Sequence, residues 1–321
     1  MSDPSTDFPS QLPSTSEPAP RDSAPRNSIF RGPNGIRAGW RVATFIVLAA
    51  LIAIVLVVFA GLLSRGRRPQ VSQLTPLGTI LSEALIFLST AAAALIMARI
   101  EHRKFGEYGL PGRSMFGNHF WIGGVAGFAS ISACLLGIFA FRGFHLTGLA
   151  IHGNTLVRAT VAWSIAFVTV GLAEEFSFRG YLQYTLTTGM GFWPSAFVLS
   201  ALFGAAHAGN PGESKAGLVS VVMFGLLFCL FLRRTGNLWW AVGFHAGWDW
   251  GQTFFYGVPD SGMAPYHNLF NCAFTGPRWL TGGTVGPEAS IFTPIVLLIV
   301  AVAFNLVYPQ DRYRTVEARA S

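Results

Sequence analysis

The chain has 321 residues, of which 51% are hydrophobic and only 12% charged. A soluble globular domain carries about 25% charged residues, so this composition excludes a water-facing surface of ordinary size. The net charge of +7 does not point to nucleic acid, because no Lys/Arg-rich helix is interleaved with aromatics and the basic residues fall between long apolar blocks.

In chain order, residues 1–28 are rich in Ser, Pro, Asp and Arg and poor in large apolar side chains. Such a segment buries too little surface to fold. It is expected to be the main part of a disordered N-terminal tail over 1–35, and its apolar core lies too far along to be a signal peptide. A transmembrane domain follows over 36–310, with a C-terminal tail over 311–321. The expected fold is all-α and polytopic, with about eight transmembrane helices at 42–63, 78–98, 119–141, 156–187, 193–208, 215–232, 237–255 and 291–308. The Gly- and Pro-rich stretch 256–290 reads as a long loop. Cys134 and Cys229 fall inside spans, and with Cys272 they show no CxxC spacing, which argues against a disulfide framework or a structural zinc site.

With eight spans, four basic segments share one side. They hold Arg31, Arg37 and Arg41; Arg99, Arg103, Lys104 and Arg113; Arg233 and Arg234; and Arg312, Arg314 and Arg319. The positive-inside rule makes that side cytoplasmic, with both termini. Arg65, Arg67 and Arg68 fall on the other side and oppose this majority.

Span four carries Glu174-Glu175-Phe176-Ser177-Phe178-Arg179 in an apolar setting. A charge at mid-membrane costs about 2.5–3.5 kcal/mol on insertion scales, so ionisable groups there point to function. Glu175 and Arg179 are spaced to pair on one helix face, while Glu174 points about 100° away. Span five ends at His207, and span seven carries His245 and Asp249 one helical turn apart. Glu174 lies 14 residues before Thr188 and His207 lies 14 after Trp193, on either side of a turn near 188–192. An antiparallel hairpin therefore sets Glu174 and His207 at similar depth. A carboxylate and an imidazole so placed can share a water and remove its proton, and a second His with a polar partner can stabilise an oxyanion.

The order Glu174-Glu175-x-x-x-Arg179, Phe203-x-x-x-His207, His245-x-x-x-Asp249, over roughly 155–255, resembles the type II CAAX prenyl endopeptidases. This family is also called ABI or CPBP and includes bacterial bacteriocin-processing and self-immunity proteins. The resemblance implies an eight-helix intramembrane endopeptidase acting on a peptide or lipidated protein in the bilayer. Glu174 and His207 would activate water, Glu175 and Arg179 would support them, and His245 and Asp249 would line the oxyanion side. Cleavage is expected near the cytoplasmic face. Asp249 departs from the Asn-type partner of the family, since an ionised Asp cannot donate a hydrogen bond. No cofactor is required on this reading. The alternative is a zinc-dependent variant held by Glu174, His207, His245 and Asp249. Two non-proteolytic readings stand beside it: an immunity or scaffold protein using the cluster as a structural polar network, and a proton-coupled transporter, which would call for inverted repeats that the two halves do not show. The family's spread and the lack of a eukaryotic targeting signal point to a bacterial plasma (inner) membrane.

Among the remaining polar and aromatic residues, Glu83 reads as structural, and His119, His145 and His152 as solvated flanks. Trp239, Trp240, Trp248 and Trp250 are expected to form an interfacial belt, the alternative being that Trp248 and Trp250 line a groove. Gly204, Gly243 and Gly247 suit close helix packing.

Overall fold

A computed structural model of the chain describes residues 29–32, 35–63 and 74–313. The expected tail over 1–28, together with Arg65, Arg67, Arg68, Arg314 and Arg319, lies outside the described residues. The N-terminal unit contains a short antiparallel pair, β1 (Arg31–Gly32) and β2 (Gly35–Ile36). Everything that follows concerns the unit from Ala38 onward.

Helix α1 (Ala38–Leu63) has no charged residue after Arg41 and buries only Phe45, so its apolar surface faces outward, as a lipid-contacting helix does. Helix α2 (Pro76–Ile100) starts where its sequence dictates. Thr75 caps it by accepting from the Gly78 amide at 3.3 Å, and Pro76 fills the first turn, where no amide donor is needed. Helix α3 (Asn118–Ala140) follows. Helix α4 (Gly153–Arg179) ends at Gly180, whose backbone (φ −80°, ψ −115°) breaks the helical path before α5 (Tyr181–Met190) resumes it. Gly191, at φ 86°, makes the turn into α6 (Phe192–His207) that the sequence places near 188–192. Helix α7 (Lys215–Thr235) is capped by Ser214 and closed by Gly236 in the left-handed region. Helix α8 (Trp239–Asp249) runs on into a π-helical turn, Trp250–Phe255.

Among the described residues, five helical segments are long and apolar enough to cross a membrane: α1, α2, α3, the α4–α5 pair and α7. The other three expected spans are helical but shorter, over α6, α8 and α10 (Phe292–Val307). The fold is mostly helical and not purely so. Strand β3 (Phe144–Leu149) pairs antiparallel with β4 (Phe270–Phe274), with Phe144 opposite Phe274 and an irregularity between Leu146 and Gly148. The stretch 256–290 is thus a structured cap. Its glycines and prolines block a long helix, and it carries β4, the one-turn α9 (Arg278–Thr281) and a 3-10 turn, Pro287–Ala289.

The closest helix pair is α3 with α8. A Cβ on Gly243 would collide with the Phe120 carbonyl, and one on Gly247 with the Gly124 carbonyl. Gly204 meets Val222 of α7 in the same way, a Cβ there falling 2.6 Å from its side chain. Small residues let the backbones approach, as the sequence suggests.

The tryptophans behave otherwise than expected. Trp239, Trp240 and Trp248 are buried and Trp250 is partly buried, so they do not form a belt. Trp240 packs among Phe231, Phe244 and Phe304 in the core, and the exposed tryptophans are instead Trp40, Trp121, Trp193 and Trp279. α8 is enclosed by α3, α4 and α7, which leaves it no lipid-facing side on which a belt could form.

Candidate active site

Helices α4, α6 and α8 bring the sequence-derived residues to one place. Glu174 Oε2 stands 3.9 Å from His207 Nε2 and 3.7 Å from His245 Nε2. His245 Nε2 also lies 3.4 Å from Asp249 Oδ2, one turn along α8. The hairpin register read from the sequence therefore holds, and Glu174 sits between two imidazoles.

The backbone and Glu175 orient those imidazoles. His207 Nδ1 donates to the Phe203 carbonyl at 2.9 Å, which fixes the ring and leaves Nε2 towards Glu174. His245 Nδ1 donates to Glu175 Oε1 at 3.0 Å, which leaves Nε2 towards Glu174 and Asp249. Phe228 stacks on the His245 ring with centroids 5.2 Å apart and planes 18° apart.

Glu175 thus has two partners. Its expected ion pair with Arg179 is present at 3.6 Å, with both side chains fully buried. Arg179 is held by aromatic faces as well, its guanidinium lying 4.2 Å from the Phe203 ring centroid and 5.7 Å from that of Phe228. Gly225 of α7 makes the room, since a Cβ there would stand 2.6 Å from Arg179 Nη2. The guanidinium is thereby wedged between α4, α6 and α7, behind the site and not in it.

The site lines a cavity of about 640 Å³. Its walls include Glu174, His207, His245 and Asp249, with Phe203, Phe228 and Trp248 as apolar surface. Trp248 belongs to this wall, as the groove alternative has it. Three carboxylates in the lining were not assigned to the site from sequence: Glu83 of α2, and Asp260 and Glu288 of the cap. Glu83 reads as structural from sequence, yet it faces the cavity, and its Oε2 is buried with no hydrogen-bond partner. The signal was there, since a lone carboxylate in an apolar span carries the same cost as Glu174. Asp260 and Glu288 gave no such signal, because they lie in a Gly- and Pro-rich stretch whose path only the fold reveals.

The cap is tied to the site by the π-helical turn. Trp248 Nε1 donates to Gln252 at 2.7 Å, Gln252 Nε2 donates to the Pro259 carbonyl at 2.8 Å, and the Thr253 hydroxyl donates to Asp260 at 2.7 Å. Glu288 accepts from the Ser261 amide and hydroxyl at 2.9 and 3.1 Å. Burial pushes the Asp260 carboxyl up to about 6 against the pull of Thr253, and pushes Glu288 up to about 8 with help from neighbouring Asp260.

Other sequence-derived features lie elsewhere. His145 meets Thr275 and the Arg142 carbonyl on an exposed edge, and His119 meets Asn237. The cavity opens at the end of the helices away from Arg103, Arg233 and Arg234, whereas the sequence reading sets cleavage near that basic face. Among the described residues, no group of three or more His, Cys, Asp or Glu is arranged to hold a metal ion.

No curated protein matches the chain. A family model does: the segment holding Glu174, Glu175, Arg179, His207, His245 and Asp249 is covered by a match over residues 155–251 to the family described as type II CAAX prenyl endopeptidase, Rce1-like, whose members are peptidases.

Proposed function

We propose that the protein is an intramembrane endopeptidase in which Glu174 and His207 activate water to hydrolyse a peptide bond. The observation that carries this reading is Glu174 Oε2 standing 3.9 Å from His207 Nε2 and 3.7 Å from His245 Nε2, on the wall of an apolar cavity. Those gaps exceed a direct hydrogen bond of about 2.7–3.2 Å and suit a water bridging both groups.

In the proposed reaction, Glu174 takes a proton from water as its oxygen attacks the scissile carbonyl carbon. The carbonyl oxygen becomes an oxyanion that accepts from His245 Nε2, the ring acting as an imidazolium with its Nδ1 proton donated to Glu175. The tetrahedral adduct collapses with cleavage of the C–N bond, and the proton on Glu174 passes to the leaving amine. Asp249 steadies His245 in place of donating to the oxyanion, since its oxygen faces His245 Nε2. No step uses a metal, so turnover is expected to survive chelators. The substrate is a peptide or lipidated protein reached within the bilayer, and the setting proposed is a bacterial inner membrane.

The test is turnover of a peptide library by protein purified in detergent, beside Glu174→Ala and His207→Ala. Loss of cleavage in both variants is expected, and equal turnover in all three would sink the proposal. The Asp249 departure favours one second reading, a non-proteolytic immunity or scaffold protein. Complementation of a deletion strain by Glu174→Gln would favour that reading over proteolysis.

A further inference from the structure

One face of α2 forms a wall of the cavity. Gly78, Thr79, Ser82, Glu83 and Ile86 recur along it at helical spacing. Glu83 is partly buried on that face, and Glu174 and His245 are among its electrostatic neighbours.

The other carboxylates of the lining are already engaged. Glu174 and Asp249 face imidazoles, Asp260 accepts from Thr253, and Glu288 accepts from Ser261. Glu83 differs. Its Oε2 is buried without a hydrogen-bond partner, and among the described residues no Lys or Arg lines the cavity to neutralise it. Serine hydroxyls of the same lining are committed to backbone, Ser82 donating to the Thr79 carbonyl at 3.1 Å and Ser177 to the Ala173 carbonyl at 2.6 Å.

A carboxylate left bare in an apolar span is costly, and no ion pair within the chain offsets this one. A guest cation would offset it, because a nearby opposite charge favours the ionised form and a charge-assisted hydrogen bond is strong where water is scarce. The walls suit the rest of such a guest. Phe167, Val170 and Phe178 of α4 and Phe224 of α7 offer apolar surface along which the methylenes of a lysine or arginine can lie. An acidic side chain entering the same space would meet five carboxylates, with imidazoles as the only groups able to carry positive charge.

We propose that Glu83 is a specificity-determining residue that receives a cationic group of the substrate, an ammonium or a guanidinium, beside Glu174. The word substrate rests on the proteolytic reading, whereas the binding of a cation does not.

The full chain, purified in detergent, is offered peptides of one sequence with Lys, Arg, norleucine or Glu at each position in turn. The peptides are made with free and with acetylated N-termini. A preference seen in both series assigns the cation to the side chain, and a preference for the free terminus alone assigns it to the α-amino group. In wild type, kcat/KM should favour the cationic peptide over its neutral counterpart by about 10- to 10²-fold, the worth of one hydrogen bond to a charged group. Glu83→Gln should abolish that preference, and Glu83→Lys should turn it towards the Glu peptides. No preference in either series, or an equal preference in wild type and Glu83→Gln, overturns the proposal. Glu83→Gln keeps the shape of the side chain and removes a bare charge, so it should melt no lower than wild type. A less stable Glu83→Gln protein would show that the charge has a partner within the chain, and overturns the proposal as well.

A second measurement needs no turnover. Hexylamine, with hexanol as the neutral control, should raise the melting temperature of wild type more than that of Glu83→Gln. If no peptide is cleaved while hexylamine still separates the two proteins, the proteolytic reading fails and the cation site stands. Equal shifts in the two proteins would remove the site.

Discussion

His245 Nδ1 donates to Glu175 Oε1 at 3.0 Å, joining α8 to α4 across 70 residues of sequence. The same carboxylate faces Arg179 at 3.6 Å, so one buried group both neutralises a guanidinium and aims an imidazole. Burial withdraws Glu175 and Arg179 from water, and their arrangement is stable only while each charge keeps its partner.

Removing that carboxylate should therefore cost both stability and turnover. Glu175→Gln leaves the Arg179 charge buried, for a loss of about 3–5 kcal/mol. Misplacing His245 should lower turnover about 10²-fold. Adding Arg179→Met to Glu175→Gln should restore the melting temperature in detergent and leave turnover low. A double variant as unstable as the single one would refute the pairing.

Asp249 can be separated from His245 by its protonation chemistry. Asp249→Asn supplies an amide donor to the oxyanion side and should keep turnover within about tenfold of wild type. Asp249→Ala leaves His245 Nε2 unsupported and should lose about 10²–10³, the usual worth of one such group. Steady-state kcat on one cleaved peptide decides it, and equal loss in both variants would show that the carboxylate charge itself is needed.

The α3–α8 contact should be intolerant of added bulk. Gly247→Val drives a side chain into the Gly124 carbonyl and should lower stability by about 1–3 kcal/mol or more. Gly209→Ala meets nothing within 4 Å and serves as the neutral control. Thermal unfolding of the two variants, read side by side, checks the packing.

The cap should make stability pH-dependent. Asp260 is raised from 3.8 to about 6 and Glu288 from 4.5 to about 8, chiefly by burial. Between the ordinary and the raised values, the folded state holds protons that the unfolded state releases. Stability therefore falls as pH rises, from about pH 4 to 6 for Asp260 and from about pH 4.5 to 8 for Glu288. The melting temperature should be higher at pH 5 than at pH 8, and Asp260→Asn with Glu288→Gln should flatten the slope. An unchanged slope in that variant would place the dependence elsewhere.

The sequence by itself determined the membrane-embedded helical fold, because apolar blocks of span length with so few charges have no other stable home than lipid. It also determined the ionisable core of the site. Glu174, Glu175, Arg179, His207, His245 and Asp249 lie at helical spacings, and helix geometry converts spacing directly into direction. The depth of His207 relative to Glu174 followed from the turn between α5 and α6 for the same reason. Only the tertiary structure decided what crosses between helices. It gave Glu175 to His245 as well as to Arg179, enclosed the tryptophans of α8, and turned Glu83 into the cavity. It also folded the stretch 256–290 into a cap that brings Asp260 and Glu288 to the mouth. Each of these depends on which faces of distant helices meet, and a one-dimensional pattern of apolar residues does not encode that when every face is apolar.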